Sequence, residues 1–244
     1  MRMAWPILAL AARDYRWLLD RGYPPKASLK LVGDRRMMTK DERMILFRGV
    51  APTAAAASRA AIVRSEAKGR AFLVDGYNQA LTVMHYLTGR PVFVGNDGLL
   101  RDAGGSYGRI ADLALFERAV DAIAGHIVAL GSPSVEIFLD SPVPGSAGHA
   151  RMFRDLFASR GAEVEVRLER SADAPLKKAP PLSLVATSDS AIADALVASS
   201  ALRSDGAGLY DAARHVLELD FGRSELLDLG YLLSEGEGSE NELR

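Results

Sequence analysis

The sequence predicts an α/β protein in which a mainly parallel sheet is flanked by helices and preceded by a small all-α domain. Two observations lead to this fold class. From residue 70 onward, short β-rich apolar runs alternate with amphipathic helical stretches, which is typical of parallel β-α-β units. Before residue 50, the chain instead shows short helical stretches with clear end signals. A length of 244 residues with 48% apolar residues provides a sizeable core.

The first domain, residues 1–50, is predicted to contain three short helices. The first helix ends at Gly22, because glycine accepts the left-handed conformation at a helix exit. A Pro-Pro pair opens the second helix, since proline is tolerated in a first turn. Thr39 and Glu42 have the spacing of a capping box and begin the third helix, which ends at Gly49.

The charge of this domain suggests a polyanionic partner. Residues 1–50 contain 11 Lys and Arg against 5 Asp and Glu, a net charge of +6, and the total of -1 leaves -7 for the remainder. Three basic helices could form a nucleic-acid-binding module similar to a helix-turn-helix. A packing domain with a solvated basic surface explains the same pattern, and both interpretations stay open.

The remainder of the chain predicts three further segments. Residues 51–69 are alanine-rich and predict a connecting helix, and residues 70–232 predict the α/β domain. Residues 233–244 are polar and acidic, so we expect them to be disordered. The C-terminal part of the α/β domain, GLYDAARHVLEL, is predicted as a closing helix. The predicted strands are AFLVD, PVFVG, VEIFLD, VEVRLE and LSLVATSD.

Residue types exclude several kinds of site and location. The chain has no cysteine, which excludes disulfides and thiolate metal sites and fits a reducing cytoplasm, where we expect the protein. The N-terminal apolar run is short and interrupted by Pro6, so we interpret it as a helix and not as a signal peptide. No segment approaches the roughly 20 apolar residues of a membrane span, so no membrane partner is expected.

Four aspartates lie at or just after the ends of predicted strands. In a parallel sheet these ends share one edge, where ligands bind. Each aspartate alone could cap a helix or begin a turn. Several carboxylates at one edge raise one another's pKa unless a cation lies between them, and Mg²⁺ prefers such oxygen ligands. The four acids are Asp75 after AFLV, Asp140 after VEIFL, Asp173 after VEVRLERSA and Asp189 after LSLVATS.

Other polar residues near these acids are candidates to contact a phosphate. Asn78 could orient water or phosphate, or simply cap its helix, and Ser188 lies beside Asp189. The long loop GNDGLLRDAGGSYGR carries Arg101 and Arg109 and could cradle a phosphate backbone, although a surface connection is the simpler interpretation. The loop lacks GK[ST], which excludes a P-loop. His149 follows Asp140 and could act as an acid or base, or be incidental.

The acidic motifs VDGYN, FLD, RSADAPL and VATSDSAIAD resemble those of PIN-like nucleases in their order and strand context. This resemblance implies a PIN-like parallel sheet that holds Mg²⁺ or Mn²⁺ at Asp75, Asp140, Asp173 and Asp189 and cleaves RNA. The stretches YRWLLDRGYPPKASLKLVGDRRMMTKDERMILFRG and RPVFVGNDGLLRDAGG resemble an uncharacterised two-part family, domain of unknown function 434. In that family a small helical domain precedes a PIN-like domain. The long glycine-rich loop departs from ordinary PIN nucleases.

Three functions are compatible with these motifs. The leading hypothesis is a metal-dependent nuclease acting on RNA, with the four aspartates as catalytic metal ligands. The alternative is a PIN-like protein that binds RNA or DNA without cleaving it. A phosphatase of small phosphoesters, using the same acidic edge, is a third interpretation.

Overall fold

The structure is a computed structural model, and it describes most of the chain. Two predictions lie outside the described residues: the phosphate contact of Arg109 and the disorder of residues 235–244. For Leu233 and Ser234 the predicted disorder is wrong, because both belong to a helix, Leu229–Ser234, in which Leu233 is buried. Within the described part, no helix is both long and apolar enough to cross a membrane. The described residues are 5–104, 110–200, 206–222 and 226–234.

The chain forms two compact units, and neither is one continuous stretch of sequence. What we call the helical unit combines the described residues within 1–61, 90–104 and 225–244. What we call the sheet unit combines the described residues within 62–89 and 105–224. Part of the segment predicted to belong to the α/β domain therefore folds with the N-terminal helices.

The helical unit contains helices and a small three-stranded sheet. Its third helix begins with the predicted capping box, in which Thr39 Oγ1 accepts from the Glu42 backbone N–H and the Glu42 side chain accepts from the Thr39 backbone N–H. The sheet has the order β3-β2-β8, antiparallel between β2 and β3 and parallel between β2 and β8. The elements are α1 (Trp5–Asp20), α2 (Pro25–Arg35), α3 (Lys40–Gly49), α4 (Thr53–Ile62), β2 (Val92–Val94), β3 (Leu100–Asp102), β8 (Leu227–Asp228) and α11 (Leu229–Ser234).

One apolar core holds this unit together. Tyr15 of α1 and Leu46 of α3 are almost fully buried in the same cluster as Phe93 of β2 and Leu229 of α11. Burial of such side chains contributes about 1.5–3 kcal/mol each. The segments that join the unit from later in the chain are therefore part of its core.

The sheet unit is built on a five-stranded parallel sheet flanked by helices, as predicted. Its strand order is β5-β4-β1-β6-β7, and every neighbouring pair is parallel. The strands are β1 (Phe72–Asp75), β4 (Val135–Asp140), β5 (Glu165–Glu169), β6 (Leu184–Ala186) and β7 (Gly208–Tyr210). The helices are α5 (Gly76–Leu87), α6 (Leu113–Ala129), α7 (Ser146–Ser159), α8 (Asp173–Leu176), α9 (Ser190–Ser200) and α10 (Ala212–Leu219).

Two elements differ from the sequence-based prediction. The segment GLY, predicted as part of a closing helix, forms the buried strand β7, and the helix begins only after Asp211 caps it by accepting from the Arg214 backbone N–H. A three-residue apolar run has no periodicity that separates a strand from a helix. The predicted strand PVFVG forms β2 of the small sheet and does not join the parallel sheet.

The strand order places a topological switch point at the centre of the sheet. From β1 the chain builds outward through β4 to β5, and it then returns to build outward on the other side through β6 to β7. Connections that leave β1 and β6 therefore diverge and open a crevice beyond their carboxyl ends. In open parallel sheets, ligands bind in that crevice.

Gly76 lets α5 begin directly against β4. A Cβ at this position would lie 2.5 Å from Leu139 Cδ2 and 3.0 Å from Ile137 Cγ2, both of β4. Gly148 in α7 serves as a matched control, because a Cβ there would meet no atom within 4 Å.

We expect Gly76→Ala to lower the free energy of unfolding by about 1–3 kcal/mol, because the added methyl group overpacks the interface between helix and sheet. Gly148→Ala should leave it unchanged or raise it by up to about 1 kcal/mol, since alanine favours helix. Urea denaturation of both variants measures the difference. Equal effects of the two substitutions would contradict the observed packing at Gly76.

Candidate functional site

Asp75 links the two strands that border the switch point. It is the last residue of β1, and its Oδ1 accepts from the Asn78 backbone N–H at 3.3 Å, which caps α5. Its Oδ2 accepts from Thr187 Oγ1 at 3.0 Å, just beyond the end of β6. The carboxylate is only 7% exposed. Asp75 is therefore a helix cap and, at the same time, a buried acid at the carboxyl edge of the sheet.

Asn78 and Ser188 form a second link across the same crevice. Asn78 Oδ1 accepts from the Ser188 backbone N–H at 2.9 Å and from Ser188 Oγ at 3.1 Å. Both residues are buried. The sequence assigned them to substrate contact, whereas the observed hydrogen bonds use their polar groups to join α5 to the segment after β6. A phosphate contact by either residue stays a prediction.

Asp140 and Asp189 are each tied by one carboxylate oxygen. Asp140 ends β4, and its Oδ1 accepts from the Ala172 backbone N–H at 2.9 Å. Asp189 Oδ1 accepts from the backbone N–H groups of Ala191 at 2.7 Å and Ile192 at 3.1 Å, at the start of α9. Neither Oδ2 atom forms a hydrogen bond within the described part of the chain. Each residue therefore keeps one oxygen available for a ligand.

The environment of Asp75 disfavours its ionised form. Burial raises its pKa to about 7, and the negative charges of Asp189 and Asp140 add to that rise. The hydrogen bonds from Thr187 and Asn78 act in the opposite direction but do not restore the ordinary value. Three of the predicted acids therefore interact electrostatically at one edge, and a cation placed among them would favour the ionised form of Asp75.

Asp173 has a cationic partner of its own. It is the first residue of the short helix α8 and forms an ion pair with Lys177, with 2.8 Å between Asp173 Oδ2 and Lys177 Nζ. The hydrogen bond to Asp173 raises the pKa of Lys177, and the negative charge of Asp189 contributes to the rise. Asp173 thus belongs to the same acidic edge, but a lysine already neutralises part of its charge.

The carboxylates at this edge could supply only part of the coordination of a divalent ion. Within the described residues, no group of three or more His, Asp or Glu is placed to hold a metal ion. Mg²⁺ commonly binds through one or two carboxylates and completes its coordination with water and substrate phosphate. The oxygens of Asp140 and Asp189 that accept no hydrogen bond could supply one or two ligands to such an ion, and water and substrate would have to supply the others.

The sequence did not single out Thr187, which organises this edge. Its hydroxyl donates to Asp75 and accepts from the Asp189 backbone N–H at 3.1 Å, so it connects two of the acids. Thr187 is fully buried. A hydroxyl residue between an apolar strand and a strand-end acid is the sequence signal that could have identified it.

His149 is a core residue and not a solvent-facing acid or base. It is 4% exposed, and its Nδ1 lies 2.9 Å from the hydroxyl of the buried Tyr77. Burial lowers the pKa of His149. Burial, together with the charge of Asp140, raises the pKa of Tyr77. Tyr77, in the VDGYN motif, therefore packs between the acidic edge and the core.

Arg101 does not have the exposure that phosphate binding requires. It is 3% exposed in the helical unit, and its guanidinium forms two hydrogen bonds to Asp97, at 2.6 and 2.7 Å. Burial opposes the ionisation of Asp97, but Arg101 and Arg59 outweigh that effect and hold the pKa of Asp97 below its usual range. The glycine-rich loop therefore uses Arg101 for an internal ion pair.

The fold and this edge define a parallel α/β protein with acidic side chains at a topological switch point. Residues 64–204, more than half of the chain, match the family described as Domain of unknown function (DUF5616), and the protein belongs to that family. Residues 7–61 match Protein of unknown function (DUF434), which confirms the resemblance of the N-terminal helices. Neither match shows membership of the PIN-like nucleases.

The chain is similar to a protein of another organism over most of the length of both proteins. An uncharacterized protein of Methanocaldococcus jannaschii is 24% identical over 184 residues, which cover 75% of this chain and 86% of that protein. No solved structure matches the chain significantly.

We expect Asp75→Asn to stabilise the protein increasingly as pH rises from 4 to 8. The folded state holds a proton on Asp75 up to about pH 7, whereas the unfolded state releases it near pH 3.8, so wild-type stability is lost as pH rises through this window. The variant lacks this loss, which amounts to at most about 4 kcal/mol, since one pKa unit corresponds to about 1.4 kcal/mol. Thermal unfolding in EDTA from pH 4 to 8 measures it.

Asp155→Asn is the control, because Asp155 is an exposed carboxylate on α7. Its stability should follow that of the wild type at every pH. A difference between Asp75→Asn and wild type that does not change with pH would contradict the raised pKa of Asp75.

Proposed function

We propose that the protein is a Mg²⁺- or Mn²⁺-dependent nuclease that hydrolyses phosphodiesters in RNA at the crevice between β1 and β6. One observation carries the proposal: the buried carboxyl of Asp75 is bonded to Thr187 at the switch point and lies within electrostatic reach of Asp140 and Asp189. Taking an acid out of water beside two like charges is unfavourable, and a bound divalent cation would reverse that penalty.

The side chains divide into ion ligands and supporting residues. Two of Asp75, Asp140 and Asp189 would hold the ion together with a substrate phosphate. Asp140 and Asp189 each have one oxygen outside their hydrogen bonds, whereas both oxygens of Asp75 accept hydrogen bonds. Metal binding requires Asp75 to be deprotonated, so the affinity for the ion should rise with pH through the neutral range. Asp173, which the sequence predicts as a further metal ligand, forms an ion pair with Lys177 and so positions its ammonium group.

The ion, when bound, would activate a water molecule and stabilise the leaving oxygen of the phosphodiester. Thr187 fixes the orientation of the Asp75 carboxylate and holds the Asp189 backbone beside it. The Asn78–Ser188 hydrogen bonds keep α5 and the segment after β6 at a constant separation. The ammonium group of Lys177, with a side chain 33% exposed, would attract the incoming phosphate to the same edge.

Sequence features support three further parts of the proposal: the PIN-like fold, the nucleic-acid partner and the location of the protein. The order of the acidic motifs supports a PIN-like fold for the sheet unit, and the net charge of +6 over residues 1–50 supports a nucleic-acid partner. The absence of cysteine supports a location in the cytoplasm.

One observation favours a second function, that of a PIN-like protein that binds nucleic acid without cleaving it. Asp75 and Asp189 already cap helices, and within the described residues no three acids are placed to hold a metal ion. The mark of this function is salt-sensitive binding of RNA or DNA with no product in Mg²⁺ or Mn²⁺.

We expect the purified protein to cleave labelled single-stranded or structured RNA in Mn²⁺ or Mg²⁺ and not in EDTA. Asp75→Asn and Asp140→Asn should each reduce the rate by about 100-fold or more, since each removes a charge that the ion requires. Asp155→Asn, an exposed carboxylate on α7, should cleave like the wild type. Gel analysis of the products gives the rates.

Two results would overturn this assignment. In the first, Asp75→Asn and Asp140→Asn both cleave RNA at the wild-type rate, and the cleavage then comes from a contaminating nuclease. The other is no cleavage in either metal; release of phosphate from p-nitrophenyl phosphate would then favour a phosphatase, and RNA binding alone would favour the non-catalytic protein.

A further inference from the structure

The helical unit contains an apolar pocket lined by α2 and α3. Its volume is about 430 Å³, within the range of small-molecule sites and sufficient for one aromatic ring system. The lining side chains are Lys26, Leu29, Lys40, Arg43, Met44 and Phe47.

The rim of this pocket is cationic. Lys26 and Lys40 are exposed, and neither forms an ion pair within the described part of the chain. Arg43, by contrast, is held by Asp34, with 2.9 Å between Arg43 Nη2 and Asp34 Oδ1, and donates to the Met38 carbonyl at 3.0 Å. Two ammonium groups therefore border the pocket with no internal acid to neutralise them.

The floor of the pocket is apolar and includes an aromatic ring. Leu29 and Met44 are half-buried, and Phe47 is 42% exposed although it is a large apolar side chain. The lining contains no hydroxyl, amide or carboxylate side chain. Such a surface favours a ligand with a flat apolar body and negative charges at its edge.

A base of a single-stranded nucleic acid, with its flanking phosphates, has this chemistry. Bases stack on aromatic side chains in a sequence-tolerant way, and lysines neutralise the neighbouring phosphates. A second aromatic ring, Tyr23, lies two residues before α2 and is 54% exposed, which offers a stacking surface for another base. The acidic tail beyond residue 234 supplies the complementary charge, but Leu243 is its single apolar side chain and would not fill such a pocket.

We propose that the α2–α3 pocket binds one base of single-stranded RNA or DNA, stacked on Phe47 and Met44, while Lys26 and Lys40 contact the phosphates on either side. The proposal shares with the proposed function a nucleic-acid ligand, but it requires neither metal nor cleavage. Because Asp34 holds Arg43 and the two lysines contact phosphates, no lining side chain is left to read a base edge, and binding should depend little on base sequence.

Binding of the full chain to fluorescein-labelled U10, A10 and C10 oligonucleotides, measured by anisotropy in EDTA over a range of salt concentrations, tests this proposal. The double variant Lys26→Ala/Lys40→Ala should flatten the slope of log affinity against log salt by about 1.4 and weaken binding about 20-fold at 0.1 M salt, since each phosphate contact on a single strand contributes about 0.7. Phe47→Ala should weaken binding about ten-fold with an unchanged slope.

Two controls separate these effects from general loss of charge or folding. Leu31→Ala removes an apolar side chain of α2 that is 61% exposed but does not line the pocket. Lys68→Ala removes an exposed lysine of the sheet unit. Both should bind like the wild type. Photo-crosslinking of an oligonucleotide containing 4-thiouridine should label the α3 peptide that carries Met44 and Phe47.

If Phe47→Ala and the double lysine variant leave oligonucleotide binding unchanged, the pocket does not bind the base. Crosslinks confined to other segments would lead to the same conclusion. Absence of binding to every oligonucleotide would also overturn the proposed pocket, even if cleavage in Mn²⁺ persists. Concentration-dependent dimerisation in sedimentation velocity that Phe47→Ala abolishes would assign the pocket to a second copy of the chain instead. If the variants weaken binding as predicted but the protein cleaves no RNA, the pocket is supported as a binding site and only the proposed nuclease activity is rejected.

Discussion

At the centre of the parallel sheet, the buried carboxyl of Asp75 accepts hydrogen bonds from Thr187 and from the Asn78 backbone, and so couples the end of β1 to the end of β6. Burial raises the pKa of this carboxyl to about 7, so the coupling is unfavourable for an ionised acid. A cap for α5 alone could be made by an exposed serine or threonine at no such cost. The position of this acid therefore indicates a use beyond local structure.

Other contacts of the sheet unit maintain the geometry that this carboxyl requires. Asn78 bonds to Ser188 across the crevice, and Gln79 Oε1 accepts from the Ala213 backbone N–H at 2.8 Å, which ties α5 to the start of α10. Gly76, the residue after Asp75, allows α5 to begin in direct contact with Ile137 and Leu139 of β4. These buried polar links are rigid because every partner is satisfied, so the acids at the edge keep a fixed spacing.

The sequence predicted the parts that depend on local pattern. Alternating apolar runs predicted the parallel sheet, and Thr39 with Glu42 predicted a cap that forms as expected. Strand ends predicted where Asp75 and Asp140 lie. The sequence did not predict which strands pair or which charged side chains form ion pairs. The three-residue run VFV joins a different sheet. Arg101 turns inward to Asp97, because the two residues lie close together across a tight turn. Asp173 lies in the short helix α8, whose four residues carry too little periodicity to be recognised.

The proposed function requires a divalent cation bound by at least two of Asp75, Asp140 and Asp189 at the edge of the sheet. A crystal of the protein soaked in Mn²⁺ and a non-cleavable oligonucleotide tests it most directly through the anomalous signal of manganese. We expect a peak within about 2–2.5 Å of oxygens from at least two of these aspartates, with a phosphate oxygen completing the coordination. A structure that contains the oligonucleotide but no manganese at this edge, with the three carboxylates still bonded only to Thr187 and to backbone N–H groups, would contradict it.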